Sequence, residues 1–330
     1  MNSYIKLKKP IPNIPLFLKE KFNHSESSYD KEEIEKFESL REYIKSRDKY
    51  PVKEKDVENF IQNNDLNGMN LDILSDVEIY WLSDKCLYRY LRACKWVLND
   101  AKKRLVSTIV WRREFGIVKL KEEINSNNNS NNNSNNKYLG FDDISVENET
   151  GKQVVLGYDN DLRPILYLRP GRQNTDASEM HLKHSVFMLE RCIDLMDEEM
   201  QDKITIFMDF KKKYDDLGNL PNTKTSIRNN IKIINLLETH YPERLGKVQM
   251  FNLHWAAKGI INMVLPFMDP VTKAKINYDV DDVGKYVQKE QLVKEYGGNI
   301  MFNYDHGEYW PALQQIVLEK RSERYRDIAI

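Results

Sequence analysis

At 330 residues, with 41% hydrophobic side chains and a formal net charge of −1, the chain is long enough for one large domain with extensions or for two domains. The near-neutral balance argues against a polyanionic partner such as nucleic acid. Three cysteines, Cys86, Cys94 and Cys192, are too few and too scattered for a disulfide framework and read as reduced thiols.

Residues 1–29 combine Pro10, Pro12 and Pro15 with Ser25, Ser27 and Ser28, the composition of a flexible arm. The first ten residues carry lysines without the apolar run of a signal peptide. No run of about 18 apolar residues is present to span a bilayer. The longest apolar stretch, 259–268, is broken by Asn262 and Pro266; it is long enough only to lie in an interface.

Residues 30–118 read as helical. From Lys31 to Arg47, charges interleave with Ile34, Phe37, Leu40 and Ile44 at helical spacing. In the block from Asp84 to Phe115, Leu87 and Leu91 share one helix face, and Asn99 or Asp100 is the expected N-cap of a helix carrying Leu105, Ile109 and Trp111. Residues 119–137 contain a tract, 125–136, of Asn and Ser alone, which offers no core side chains and reads as a disordered insertion.

The pattern changes in residues 138–305. Val154–Leu156, Ile165–Leu168, Ile204–Met208 and Val248–Phe251 read as strands. Leu182, Val186, Leu189, Ile193 and Met196 share one helix face, and Ile227, Ile231, Ile234 and Leu237 share another. Such alternation predicts an α/β fold with substantial parallel pairing. Residues 306–330 read as a charged helix.

Enzyme signatures are missing: there is no GxxxxGK[ST], GxGxxG, HExxH or GxSxG. Cys86 and Arg92 have a phosphatase-like spacing, but the glycine-free residues between them predict a helix rather than a phosphate loop. His181 and His184 have no third metal ligand nearby in sequence and read as a solvated or capping pair. The chain is expected not to be an enzyme, and no metal or cofactor is expected.

The most informative segment is Tyr241-Pro242-Glu243-Arg244-Leu245-Gly246, followed by Leu265-Pro266-Phe267-Met268-Asp269-Pro270-Val271-Thr272-Lys273-Ala274-Lys275-Ile276. An acid and a base in apolar surroundings suggest a charged group at the edge of a hydrophobic cavity. With Tyr90–Trp96, Trp111–Arg113, Asp161–Tyr167 and Glu295–Gly298 in order along the chain, the sequence resembles the CRAL-TRIO family, the SEC-fourteen-like phosphatidylinositol transfer proteins, over roughly 84–115 and 138–304.

That resemblance implies a helical N-terminal part followed by a mixed sheet whose helices enclose a lipid cavity. It implies a phosphatidylinositol headgroup site at Lys95, Glu243, Thr272 and Lys275. A gate helix at Trp255–Pro266 would bring Ile260, Ile261, Met263, Val264, Leu265 and Phe267 to a membrane, with Gly259 and Pro266 as hinges. Two departures stand out: Cys94 replaces a family arginine, and Val155, Leu166 and Phe210–Tyr214 lack the family's choline-holding pattern. A lipid other than phosphatidylcholine is therefore the expected second ligand. Lys211-Lys212-Lys213 reads either as an anionic-membrane contact or as a solvated loop. The expected ligand is a phospholipid, the expected state a cytoplasmic monomer on membranes reversibly. The alternative is a lipid-gated adaptor that presents phosphatidylinositol to a kinase.

Overall fold

The computed structural model describes residues 4–22, 28–62, 66–118, 138–217 and 226–325. The Asn/Ser tract and Ser25 and Ser27 of the expected arm lie outside the described residues. Two compact units are formed, one from residues 25–140 and 322–330, the other from 1–24 and 141–321.

The N-terminal segment differs from the flexible arm its composition suggests. Strand β1 (Ile5–Leu7) pairs in parallel with a strand near the far end of the second unit, Ile5 opposite Ile300 and Leu7 opposite Phe302. Ile14 and Leu18 are buried against Tyr158 and Leu162. Apolar side chains spaced between the prolines bury enough surface to offset the ordering entropy.

In the helical unit, α1 (Lys31–Lys45) opens on a capping box: the Glu33 amide donates to the Asp30 carboxylate at 2.9 Å and the Asp30 amide to Glu33 at 3.1 Å. Phe37, Leu40 and Ile44 are buried, while Ile34 is exposed. After the antiparallel pair β2 (Lys49–Pro51) and β3 (Leu71–Ile73) comes α2 (Asp84–Ala93), which buries Cys86, Leu87, Tyr90 and Leu91. A helical Cys86 excludes the phosphate-loop geometry.

Helix α3 (Leu98–Phe115) starts before the expected cap. Val97 holds the N-cap position, Asp100 lies in the first turn where its charge suits the helix dipole, and Gly116 ends the helix at φ 84°. The Trp111–Arg113 motif proves structural. Arg113 donates to Glu78 at 2.6 Å and to the carbonyls of Tyr50, Pro51 and Ile73 at 3.0–3.2 Å, tying the β2–β3 pair to α3. A buried guanidinium is tolerable only with such full pairing.

The second unit is built on a five-stranded mixed sheet in the order β4 (Gln153–Tyr158), β5 (Pro164–Leu168), β6 (Ile204–Asp209), β7 (Leu245–Phe251), β8 (Ile276–Asn277). β4 and β5 are antiparallel; the remaining pairs are parallel. Helix α4 (Glu179–Asp194) links β5 to β6, and α5 (Ile227–His240) links β6 to β7. Helices α6 (Trp255–Val264) and α7 (Pro270–Ala274) link β7 to β8. Each crossover steps one strand in the same direction, so right-handed connection places these helices on one face of the sheet.

The other face is covered by residues 283–302. The Tyr296 hydroxyl donates to Asp209 at 2.7 Å, and its ring stacks on Phe251 at 3.9 Å. Gly298 in that segment leaves no room for a side chain: a Cβ would stand 1.8 Å from the Leu292 carbonyl oxygen. β9 (Ile300–Phe302) pairs with β1, and α8 (His306–Tyr325) closes the unit. The Tyr309 hydroxyl accepts from the Val155 amide at 2.7 Å and donates to the Val155 carbonyl at 3.0 Å, so this one side chain occupies the open edge of β4.

Candidate lipid-binding site

The helix-covered face of the sheet carries an apolar layer that the described residues only half cover. Along β6, Thr205, Phe207 and Asp209 are buried, while Ile206, Met208 and Phe210 on the opposite face are half-buried. In α5, Ile227, Ile231, Ile234 and Leu237 lie on one face as the sequence predicts, yet none of them is buried. A packed amphipathic helix normally buries that stripe. Val248, Met250 and Ile261 form a small core with Ile206, Phe210, Leu245, Leu265 and Ile276 packed against it.

The expected gate residues fall on two sides. Ile261 and Val264 in α6 are buried, Ile260 and Leu265 are half-buried, and Met263 and Phe267 are exposed. Gly259 adopts no left-handed backbone, and a Cβ there would meet nothing within 4 Å. Pro266 lies in the turn Leu265–Phe267 that follows α6.

At the β6–β7 corner, the Tyr241 hydroxyl donates to Glu190 at 2.6 Å. Arg244 is buried and donates to Glu198 at 3.0 Å and to the Asp202 carbonyl at 2.9 Å. Between them Glu243 is half-buried and takes a left-handed φ of 58°, an uncommon conformation for a non-glycine residue. Gly246 leaves space for Arg163, whose Cδ would lie 2.6 Å from an added Cβ. Arg163 pairs with Asp161 at 2.8 Å and lies 3.6 Å from Asp159. Burial pushes the Asp159 carboxyl up to about 6, opposed by the Arg163 charge and the Thr205 hydroxyl.

Lys275 caps the C-terminal end of α7 and is half-buried. Burial lowers its pKa, with the charges of Lys203 and Arg163 acting in the same direction and those of Glu243 and Asp269 against. The expected headgroup pair thus lies within mutual electrostatic range. Lys203 was not singled out from the sequence; it enters the group because parallel pairing sets Ile204 opposite Leu245.

Thr272 has another engagement. Its hydroxyl and amide both donate to the Asp269 carboxylate, the amide at 2.9 Å, as part of the N-cap of α7. The fourth expected residue, Lys95, belongs to the helical unit, where it is exposed in the turn after α2 with φ 51°. Next to it, the half-buried Cys94 thiol is raised by burial, with Arg104 as its neighbouring cation.

The three cysteines form no disulfide. His181 is partly buried, not a freely solvated side chain, and His184 is fully buried. His184 bonds Asn148 at 3.1 Å, and His181 lies 3.1 Å from the Thr175 hydroxyl. Among the described residues, no cluster of His, Cys, Asp and Glu is placed to hold a metal, and no helix is long and apolar enough to cross a membrane. Val155 and Leu166 are buried in the sheet, and Lys211, Lys212 and Lys213 are exposed.

Comparison with known proteins agrees with this architecture. Residues 36–107 match the model of the CRAL/TRIO N-terminal domain, and residues 148–298 that of the CRAL/TRIO domain. The phosphatidylinositol transfer protein PDR17 of Saccharomyces cerevisiae is 36% identical over 292 residues, covering 88% of this chain and 77% of PDR17. The chain belongs to the CRAL-TRIO family.

A CRAL-TRIO domain-containing protein of Schizosaccharomyces pombe is 39% identical over 248 residues, 75% of this chain. This chain spans 22% of that longer relative. It spans 48% of the phosphatidylinositol transfer protein CSR1 of Eremothecium gossypii, at 28% identity. The crystal structure of Sfh5 superimposes with a TM-score of 0.51 at 14% identity, covering 89% of this chain and all of that one; this likeness concerns the fold alone.

Proposed function

We propose that this CRAL-TRIO chain binds phosphatidylinositol between the sheet and helices α4 to α6 and moves it between membranes, without catalysis. The observation that carries the reading is the apolar layer of α5 and β6, half-covered by the described side chains and suited to be covered by acyl chains. A diacyl lipid has about 30 chain carbons, and at roughly 0.8 kcal/mol per CH₂ its passage through water would cost on the order of 25 kcal/mol. Loading therefore takes place on a membrane, through displacement of α6, with Gly259 and Pro266 absorbing the change in backbone angle. A monomer that visits cytoplasmic membrane surfaces reversibly satisfies this scheme.

The headgroup sits at the corner of the sheet that carries Glu243 and Lys275, which lie within electrostatic range of each other. Lys275, partly desolvated and beside two other cations, gains an anionic partner in the phosphodiester. Glu243 accepts from inositol hydroxyls or orients that lysine. Thr272 contributes through the loop that its bonds to Asp269 hold in shape. The names of PDR17 and CSR1 point to the same lipid.

Transfer of fluorescent phosphatidylinositol between vesicles tests the reading. The full chain is expected to accelerate it, and Lys275→Ala to slow it. A chain that binds the lipid tightly without accelerating exchange would instead favour a role in presenting lipid to a kinase.

A further inference from the structure

We propose that Arg169, with Lys211 at its edge, forms a second binding site, for a phosphate dianion or phosphate monoester, on the face of the sheet turned away from helices α4 to α6. It lies apart from the proposed lipid layer and does not depend on that reading. Arg169 directly follows the carboxyl end of β5. Parallel register sets Leu168 opposite Met208, about 17 Å along β6 from Lys203 at 3.3 Å per residue. The Arg169 guanidinium carbon stands 5.5 Å from the centroid of the Tyr167 ring and 5.7 Å from that of Phe302 in β9. Burial pushes up the phenols of Tyr167, Tyr214, Tyr296, Tyr304 and Tyr309, and the Arg169 charge opposes that rise in all five. The cation thus sits within an aromatic shell.

Arg169 is only 8% exposed, and its guanidinium makes no hydrogen bond or ion pair among the described residues. Each acid around the shell is engaged elsewhere or faces solvent. Asp209 accepts from the Lys211 amide at 2.9 Å, from Asn252 at 2.6 Å, and from the Tyr214 and Tyr296 hydroxyls at 3.1 and 2.7 Å. Asp216 accepts both bonds of a fork from Arg172, at 2.9 and 2.7 Å. Asp305 lies 3.7 Å from Lys8, and Asp215 and Glu295 are exposed. A lysine or histidine so placed could shed its proton, but an arginine stays charged. A buried charge left unpaired is costly. Ring faces recover part of that cost but offer no acceptor to five N–H donors.

An oxyanion that accepts two parallel bonds suits a guanidinium best. The turn after β5 brings further positive charge. A Cβ at Gly171 would stand 2.0 Å from the Lys211 carbonyl oxygen, so this turn lies directly on the loop after β6. Arg172 and Lys211 both lie over the Tyr214 ring, at 4.4 and 5.2 Å from its centroid. Lys211 is exposed. A buried guanidinium with a solvent-facing lysine at its edge favours a doubly charged phosphate over a singly charged carboxylate.

The test has two arms, both on the full chain. One is isothermal titration with inorganic phosphate in phosphate-free buffer. The other is flotation with phosphatidylcholine vesicles that carry either phosphatidic acid, a phosphate monoester, or phosphatidylglycerol, a diester. Saturable binding of inorganic phosphate assigns a soluble ligand. A preference for phosphatidic acid without such binding assigns a lipid headgroup. In either arm Arg169→Lys, which keeps the charge but loses the fork, should weaken binding about tenfold, and Arg169→Met should abolish it. Lys211→Gln should weaken it by no more than about fivefold.

A parent chain that neither binds inorganic phosphate nor prefers phosphatidic acid overturns the proposal without recourse to any variant. So does binding that is undiminished in Arg169→Met, or in Arg169→Lys should the methionine variant not fold. Arg169 is then a structural cation held by its rings alone.

Discussion

Lys203 at the foot of β6 acts electrostatically on Lys275 at the end of α7, and its positive charge adds to burial in disfavouring the charged form of Lys275. The two are 72 positions apart in sequence and meet only because β6 and β7 pair in parallel with Ile204 opposite Leu245.

Lys275 has its pKa lowered in the unliganded chain, so the sign of the ligand effect is determined. Binding a phosphodiester raises the pKa back toward or above the ordinary lysine value, with proton uptake at alkaline pH. NMR titration of the Lys275 side chain with and without phosphatidylinositol measures this directly. Lys275→Ala should reduce lipid affinity about tenfold or more, the scale of a charge-assisted hydrogen bond at about 1.5–3 kcal/mol.

Thr272 should behave differently. Its hydroxyl donates to Asp269, so Thr272→Val removes a capping interaction and lowers stability by about 1 kcal/mol in urea unfolding. Asp269→Ala should do at least as much. Lipid recovered per folded molecule should fall far less with Thr272→Val than with Lys275→Ala.

The two apolar residues at the far end of α6 separate packing from membrane contact. Val264 is buried, so Val264→Asp places a carboxylate in an apolar core at a cost of several kcal/mol and should unfold part of the protein. Phe267 is exposed, and Phe267→Asp should leave the thermal transition nearly unchanged while slowing vesicle-to-vesicle transfer. Gly259→Ala, with open space for the methyl group, should raise helix stability by up to about 1 kcal/mol; slower transfer alongside that gain would identify Gly259 as a hinge.

Asp159 sets a pH dependence of the empty fold. Its folded pKa is raised from 3.8 to about 6 by burial. A raised acid contributes stability that is fully present below the unfolded value and is lost as pH rises through about 4 to 6. Carbon-13 shifts of the Asp159 carboxyl report the midpoint. Asp159→Asn should flatten stability across that window.

The strands β4 to β7 were legible because Val, Ile and aromatic residues run together there, whereas β8 and β9, two and three residues long, carry too little pattern to detect. The apolar face of α5 was legible, but not that its residues stay half-buried, because periodicity gives direction and not coverage. Ile5, Leu7, Ile14 and Leu18 were hidden among prolines and lysines that dominate the composition. The Asp269 cap had a local signal, aspartate followed by proline and then by threonine two residues further on. The resemblance gave Thr272 another role first. Lys203 carried no signal, since its place depends on strand register.

The most direct test of the account is mass spectrometry of lipid extracted from the purified chain, beside a Glu243→Ala, Lys275→Ala double variant shown to be folded. The account predicts phosphatidylinositol in the parent and its loss from the variant. Phosphatidylinositol retained in full by the variant, or a different lipid bound equally by both, would contradict it and leave Glu243 and Lys275 as structural charges.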